Sequence, residues 1–229
     1  MFRGRDEVQT PGRGARRFPT FDVLRQQSHW DEVTGGVVLP RLRPSPDCSF
    51  FSPGEQVIAG ALFDLLLGQH EDPKIPVLAL VDQRLALDET DGWMYADMPE
   101  DGIAWHRTLG ALDDHAVDRF GGPFAGLSLD RQTALLDQVR NADEWRGWRG
   151  AHVWSLWTRY ACAAFYSHPW AWNEIGFGGP SYPRGYQSLG IDRRDHWEVA
   201  DTANRDPVSW GDRVERARGR HPGSVADRT

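Results

Sequence analysis

The sequence predicts an all-α fold: a compact bundle of about five helices, with an extended N-terminal arm and an irregular Gly/Pro/aromatic C-terminal segment. Three observations carry this reading. Apolar residues recur at helical spacing in five separate stretches. A capping box opens the first of them. No stretch alternates apolar and polar residues over a useful strand length. The order along the chain is a Gly- and Arg-rich N-terminus over residues 1–17, expected to be mobile, an arm over 18–51, a helical domain over 52–198, and a charged, aliphatic-poor tail over 199–229, also expected to be mobile. There is no internal repeat and no second domain.

The arm carries scattered anchors, Phe21, Val23, Leu24, Trp30, Val33, Val37, Val38 and Leu39, with few signs of regular structure, so it is expected to wrap across the bundle or a partner. The first helix begins where Ser52, Pro53 and Glu55 cap and preset the backbone, and Val57, Ile58, Ala61, Leu62, Leu65 and Leu66 follow at helical spacing. A second follows Pro76, with Val77, Leu80, Val81 and Leu85 on one side and Asp82 and Arg84 off it. The third opens around Pro99 and closes at Gly121; the fourth starts at Ser128. The fifth, "EWRGWRGAHVWSLWTRYACAAFYSH", is apolar almost all round from Val153 to Tyr166, which predicts a helix buried on several sides and stopped by Pro169.

Beyond it, "FYSHPWAWNEIGFGGPSYPRGY" reads as neither helix nor strand. Tyr166, Trp170, Trp172, Phe177, Tyr182 and Tyr186, with Asn173, lie on a backbone restricted by Pro169, Pro180 and Pro183. Large rings lose little entropy on contact and anchor interfaces, so these residues are candidates for a docking surface. The competing assignment is that the rings cap the bundle's own core.

Bulk properties narrow the function. A net charge of -7 leaves no basic face for nucleic acid. Cys48 and Cys162 form no C-x-x-C motif and no disulfide framework. No apolar run reaches the roughly 20 residues of a membrane-spanning helix, so direct membrane insertion is not expected. Arg16 and Arg17 resemble a twin-arginine signal, but no apolar stretch follows them, so the expected location is the cytoplasm, or the periplasm where a partner carries the signal.

No catalytic, cofactor or metal constellation emerges. Gly12 and Gly14, or Gly176, Gly178 and Gly179, neither follow a strand nor open a helix as a dinucleotide fingerprint requires. His106 and His115 are nine residues apart on one predicted helix and face opposite ways. There is no G-x-S-x-G elbow, and Cys162 lies in the apolar helix, where a thiol acts as a small hydrophobe. Asp88, Glu89 and Asp91 fall in a predicted loop, and "DRRDHWEV", from Asp192 to His196 and beyond, reads as a charged turn.

The stretches "FFSPGEQVIAGALFDLLLG", "VDQRLA", "LSLDRQTALLDQV" and above all "YSHPWAWNEIGFGGPSYPRGY" resemble the gluconate 2-dehydrogenase subunit 3 family, over about Phe50 to Tyr186. The signature residues are Tyr166, Ser167, Pro169, Asn173, Gly179, Pro180, Tyr182, Pro183, Gly185 and Tyr186. The resemblance implies a non-catalytic companion of a larger FAD-binding subunit of the glucose-methanol-choline oxidoreductase type, needed for its folding, stability or export. It implies no cofactor in this chain, FAD in the partner and, in many such complexes, a cytochrome that takes the electrons. The export signal of many members has no counterpart in the quoted residues. Two other readings compete: a stand-alone sugar-binding protein or small enzyme using the aromatic segment as a carbohydrate platform, and a general chaperone of several flavoproteins.

Overall fold

The computed structural model describes residue 18, residues 21–188 and residues 193–198; the expectations for residues 1–17 and 199–229 lie outside them. Regular structure among the described residues is helical throughout: α1 (Glu32–Val38), α2 (Pro53–Leu67), α3 (Val77–Ala86), α4 (Asp101–Phe120), α5 (Leu129–Asn141), α6 (Gly150–Tyr166) and α7 (Pro169–Ile175). Short 3-10 helices occupy Val23–His29, Leu39–Leu42 and Phe124–Gly126. The all-α class is as the sequence predicts, and its five long helices are α2 to α6.

At α2 the capping box forms in full. Ser52 Oγ accepts from the Glu55 N–H at 3.4 Å, and Glu55 Oε2 accepts from the Ser52 N–H at 2.9 Å. Each end therefore satisfies donors that no helical carbonyl can reach. The core is built from one face of each long helix: Leu62 and Phe63 of α2, Trp105, Leu109 and Leu112 of α4, Leu135 and Val139 of α5, Val153, Trp157 and Tyr160 of α6. Helix α6 touches α2, α3, α5 and α7. Its burial ends at Ala161, and Cys162, Ala163 and Tyr166 are exposed.

Three expectations are corrected. The fifth helix starts at Gly150, not near Glu144: Trp145 and Trp148 exchange backbone hydrogen bonds of 2.6 and 3.0 Å across Arg146 and Gly147, both at positive φ (54° and 92°). Two left-handed residues in succession make a reversing turn and cannot continue a helix. Residues 169–175 are helical rather than irregular. Proline fits the first helical position, where it has no N–H to lose, His168 Nδ1 accepts from the Trp170 N–H at 3.2 Å, and Gly176 ends α7 at φ 72°. The segment 18–51 is not an extended arm throughout: its 3-10 turn and α1 are each opened by an aspartate, Asp22 accepting from Leu24 N–H at 3.0 Å and Asp31 from Thr34 N–H at 2.8 Å. Both pieces are seven residues long, too short for apolar periodicity to show.

The entry into α2 is held by Asp82 of α3. This side chain is only 2 % exposed, and its carboxylate accepts the backbone N–H groups of Ser49, Phe50 and Phe51 at 2.7, 3.0 and 2.8 Å. A buried carboxylate is tolerated because three oriented donors replace water. Asp82→Ala would leave those donors unpaired, so the variant is expected to lose about 3 kcal/mol or more of stability in urea denaturation, each stranded group costing about 1–3 kcal/mol.

Candidate partner interface

The aromatic segment is built where α6 ends. Ser167 Oγ donates to the Ala164 carbonyl at 2.8 Å, and the Ser167 carbonyl accepts from Arg41 Nη1 at 3.0 Å, which ties the N-terminal segment to this corner. His168 is fully buried, and burial lowers its pKa to about 4, with the charge of Arg41 acting in the same direction. The Arg41 backbone opposes that shift in part.

From there α7 turns its inner face to the N-terminal segment. Trp172 Nε1 donates to the Tyr166 carbonyl at 2.6 Å, and its ring joins Val23, Trp30 and Val38 in a second, smaller apolar cluster. Asn173 Oδ1 accepts from the Val23 N–H at 2.7 Å, and its Nδ2 donates to Asp22 at 3.4 Å. The glycines that follow make room for rings. A Cβ on Gly176 would stand 2.6 Å from Phe18, and one on Gly179, at φ 78°, would stand 3.0 Å from Trp30 and from Val23. These glycines therefore back onto the chain's own side chains instead of facing an open phosphate site.

The ten candidate interface residues fall into two sets. Pro169, Trp172 and Asn173 are buried, the last two against the chain's own N-terminal segment, and Trp170 and Pro180 are half-buried. Tyr166, Phe177, Tyr182 and Tyr186 are 50, 40, 66 and 50 % exposed, and Pro183 is exposed beside them. The two assignments of the rings thus divide within one segment. For Trp172 and Asn173 the ring-and-amide contacts are internal, so neither is available at the surface; the signal for this was Val23 and Trp30, anchors with no other apolar face to meet. Farther on, Arg184 stacks 3.6 Å over the Trp197 ring, and Asp195 accepts the N–H groups of Gln187 and Ser188 at 3.1 and 2.7 Å. The described part of the expected charged turn, residues 193–198, therefore points Asp195 inward.

The histidines of α4 have structural partners: His106 Nδ1 lies 2.6 Å from Glu55, and His115 Nδ1 accepts from Trp145 Nε1 at 3.0 Å. Among the described residues no group of three or more His, Cys, Asp or Glu side chains is placed to hold a metal ion, and no helix is long and apolar enough to cross a membrane.

Fold and site together define a small all-helical protein that displays tyrosines and a phenylalanine on a Gly/Pro-rich segment anchored by its own N-terminal turns. The family model described as Gluconate 2-dehydrogenase subunit 3 matches residues 53–179, more than half of the 229, and the chain belongs to that family, a subunit of an oxidoreductase complex. Comparison with curated proteins and with solved structures gave no match.

The division of the rings has a direct test. Trp172→Ala is expected to destabilise the lone chain by about 3–5 kcal/mol, the usual cost of deleting a buried large aromatic. Tyr182→Ala should stay within about 0.5 kcal/mol, as exposed substitutions do; chemical denaturation of both variants measures the difference. A second test concerns His168. Its imidazole is neutral in the folded chain down to about pH 4 and takes up a proton near pH 6.5 when unfolded. The unfolded state thus binds more protons in that window, so stability is fully present above about pH 6.5 and is lost as pH falls toward 4, by on the order of 3 kcal/mol. Replacing His168 by Asn, which keeps a capping oxygen, should flatten that part of the stability-against-pH curve relative to the unaltered chain.

Proposed function

We propose that this chain is the non-catalytic small subunit of a heteromeric FAD-dependent dehydrogenase of the glucose-methanol-choline type, acting on gluconate or a similar sugar or polyol. Its role is to support the folding, stability or activity of the large flavin subunit. The observation that carries this reading is the exposure of Tyr166, Phe177, Tyr182, Pro183 and Tyr186 on a segment whose other half is fixed internally, within a family of dehydrogenase subunits. Rings held in place before contact lose little entropy on docking, which is the property interface anchors share.

In this reading FAD and the substrate reside in the large subunit, and an electron-accepting cytochrome is a further partner of the complex. The residues of this chain position and shield; none of them is assigned a step in the oxidation. Trp172 and Asn173, though internal, still matter to the interface because they fix the exit angle of the backbone that carries Phe177 and Tyr182.

Co-expression with and without the large subunit tests the proposal. The flavin subunit is expected to be soluble, flavin-loaded and active only alongside this chain, and the double variant Tyr182→Ala/Tyr186→Ala should weaken the complex by about 2–4 kcal/mol while the lone chain melts normally. A large subunit that is soluble, yellow and fully active by itself would refute the reading.

A further inference from the structure

A cavity of about 490 Å³ opens where α1 and the 3-10 helix after it meet α3 and the second half of α6. Its walls are mainly aliphatic: Val37 and Pro40 from the N-terminal segment, Leu80 and Leu87 from α3 and its end, Ala163 and Ala164 from α6. Val37 and Leu87 are 54 and 62 % exposed, so nothing in the bundle covers them. The volume suits a small molecule, since ligand pockets span about 300–1,000 Å³. Phe177, Tyr182 and Tyr186 do not line it.

Two arginines line the cavity, and their surroundings differ. Arg84 is engaged: its guanidinium meets Asp91, its Nε donates to the Glu89 carbonyl at 2.8 Å, and it lies 4.6 Å from the centre of the Tyr160 ring. The Tyr160 hydroxyl donates to the buried Asp101 at 2.6 Å, and burial together with this carboxylate pushes the phenol well above its ordinary pKa. Arg41 is half-buried and makes one hydrogen bond among the described residues, from Nη1 to the Ser167 carbonyl at 3.0 Å. A guanidinium has five N–H donors, so most of its donor edge is unused. Burial lowers the Arg41 pKa, and no carboxylate acts against that shift. Glu89, the acid that lines the cavity, belongs to the Arg84 side, where its carbonyl is held, and it forms no ion pair with Arg41. A partly desolvated cation without a counter-charge is costly, and this one stands in a chain of net charge -7.

One uncompensated guanidinium in an aliphatic cavity selects a ligand with one negative charge and an apolar body. We infer that the cavity between α1, α3 and α6 binds a small aliphatic monocarboxylate, whose carboxylate pairs with Arg41 and whose hydrocarbon part lies against Val37, Leu80 and Ala163. A carboxylate matches the planar donor fork of arginine and would supply the counter-charge that the chain itself does not. The apolar walls then contribute through the surface of the ligand they remove from water. The site is independent of the subunit reading above, and it uses none of the exposed rings assigned to the interface.

The test is calorimetric titration of the full chain with hexanoate, acetate and hexan-1-ol at one fixed salt concentration. Hexanoate is expected to bind saturably and at least about tenfold more tightly than acetate, each buried methylene being worth roughly fourfold. Hexan-1-ol, which keeps the apolar body and lacks the charge, should bind at least about tenfold more weakly than hexanoate. Arg41→Gln should lose about tenfold or more in hexanoate affinity. That change also removes the bond to Ser167, so Ala163→Phe, which fills the cavity from an exposed position and leaves the guanidinium intact, is expected to give the same loss. No saturable binding of hexanoate at millimolar concentration, hexan-1-ol bound as tightly as hexanoate, or unchanged affinity in Ala163→Phe would each overturn the inference. So would a cavity that takes no hexanoate while Arg41→Gln weakens the complex with the large subunit, since the occupant would then be a carboxylate of that partner. The titration uses this chain alone, so its failure leaves the proposed function standing.

Discussion

One hydrogen bond between residues far apart in the chain governs what the aromatic segment can do. Asn173 Oδ1 accepts the Val23 N–H at 2.7 Å, in a buried setting where water cannot substitute for either partner. Such a bond is expensive to leave unmade, because the lone donor would pay its full desolvation cost. It fixes the N-terminal turns over α7, and the small cluster of Val23, Trp30, Val38 and Trp172 closes as a result. Trp172 thereby becomes core, while Phe177, Tyr182 and Tyr186, past the end of α7, stay exposed.

Short carboxylates do comparable work elsewhere. The acidic composition suggests a solvated surface, yet several aspartates face inward and hold backbone donors that lie outside the helical ladders. Asp82 binds the three N–H groups before α2, Asp113 takes the Phe124 N–H at 2.7 Å, and Asp195 closes the turn beyond Tyr186. An all-helical protein with long connections has many such orphan donors, and aspartate is short enough to reach them without leaving its own element. Asp91 does the same for side chains, joining α3 to α6 through Arg84 and Arg159.

The tryptophans follow the same economy of contact. Trp105 and Trp157 fill the centre, with Trp157 donating to Thr108 at 3.0 Å, and Trp145 reaches His115 from the turn before α6. Trp30 and Trp172 form the joint with the N-terminal segment. Most of the indole content among the described residues therefore goes into stability, and even the exposed Trp93 carries the Arg159 guanidinium 4.4 Å from its ring centre.

The sequence by itself determined the helices and their class, because a capping box at Ser52, apolar spacing of three and four residues and a missing strand pattern are local properties of the chain. It also determined the family, whose model matches residues 53–179 and so takes in the aromatic stretch "YSHPWAWNEIGFGGPSYPRGY" as far as Gly179. The short helices α1 and α7 escaped it: seven residues give less than two full turns of pattern, and proline at the head of α7 reads equally as a stop to α6 or a start. Which rings are buried could be decided only by the tertiary structure. Trp172 and Tyr182 are both large rings on one short segment, and their fates differ because the Val23–Val38 region, about 150 positions earlier in the chain, packs over Trp172 and leaves Tyr182 exposed. The same holds for Asp82, whose position off the apolar side of its helix marked it for solvent until the chain before α2 crossed it with three donors.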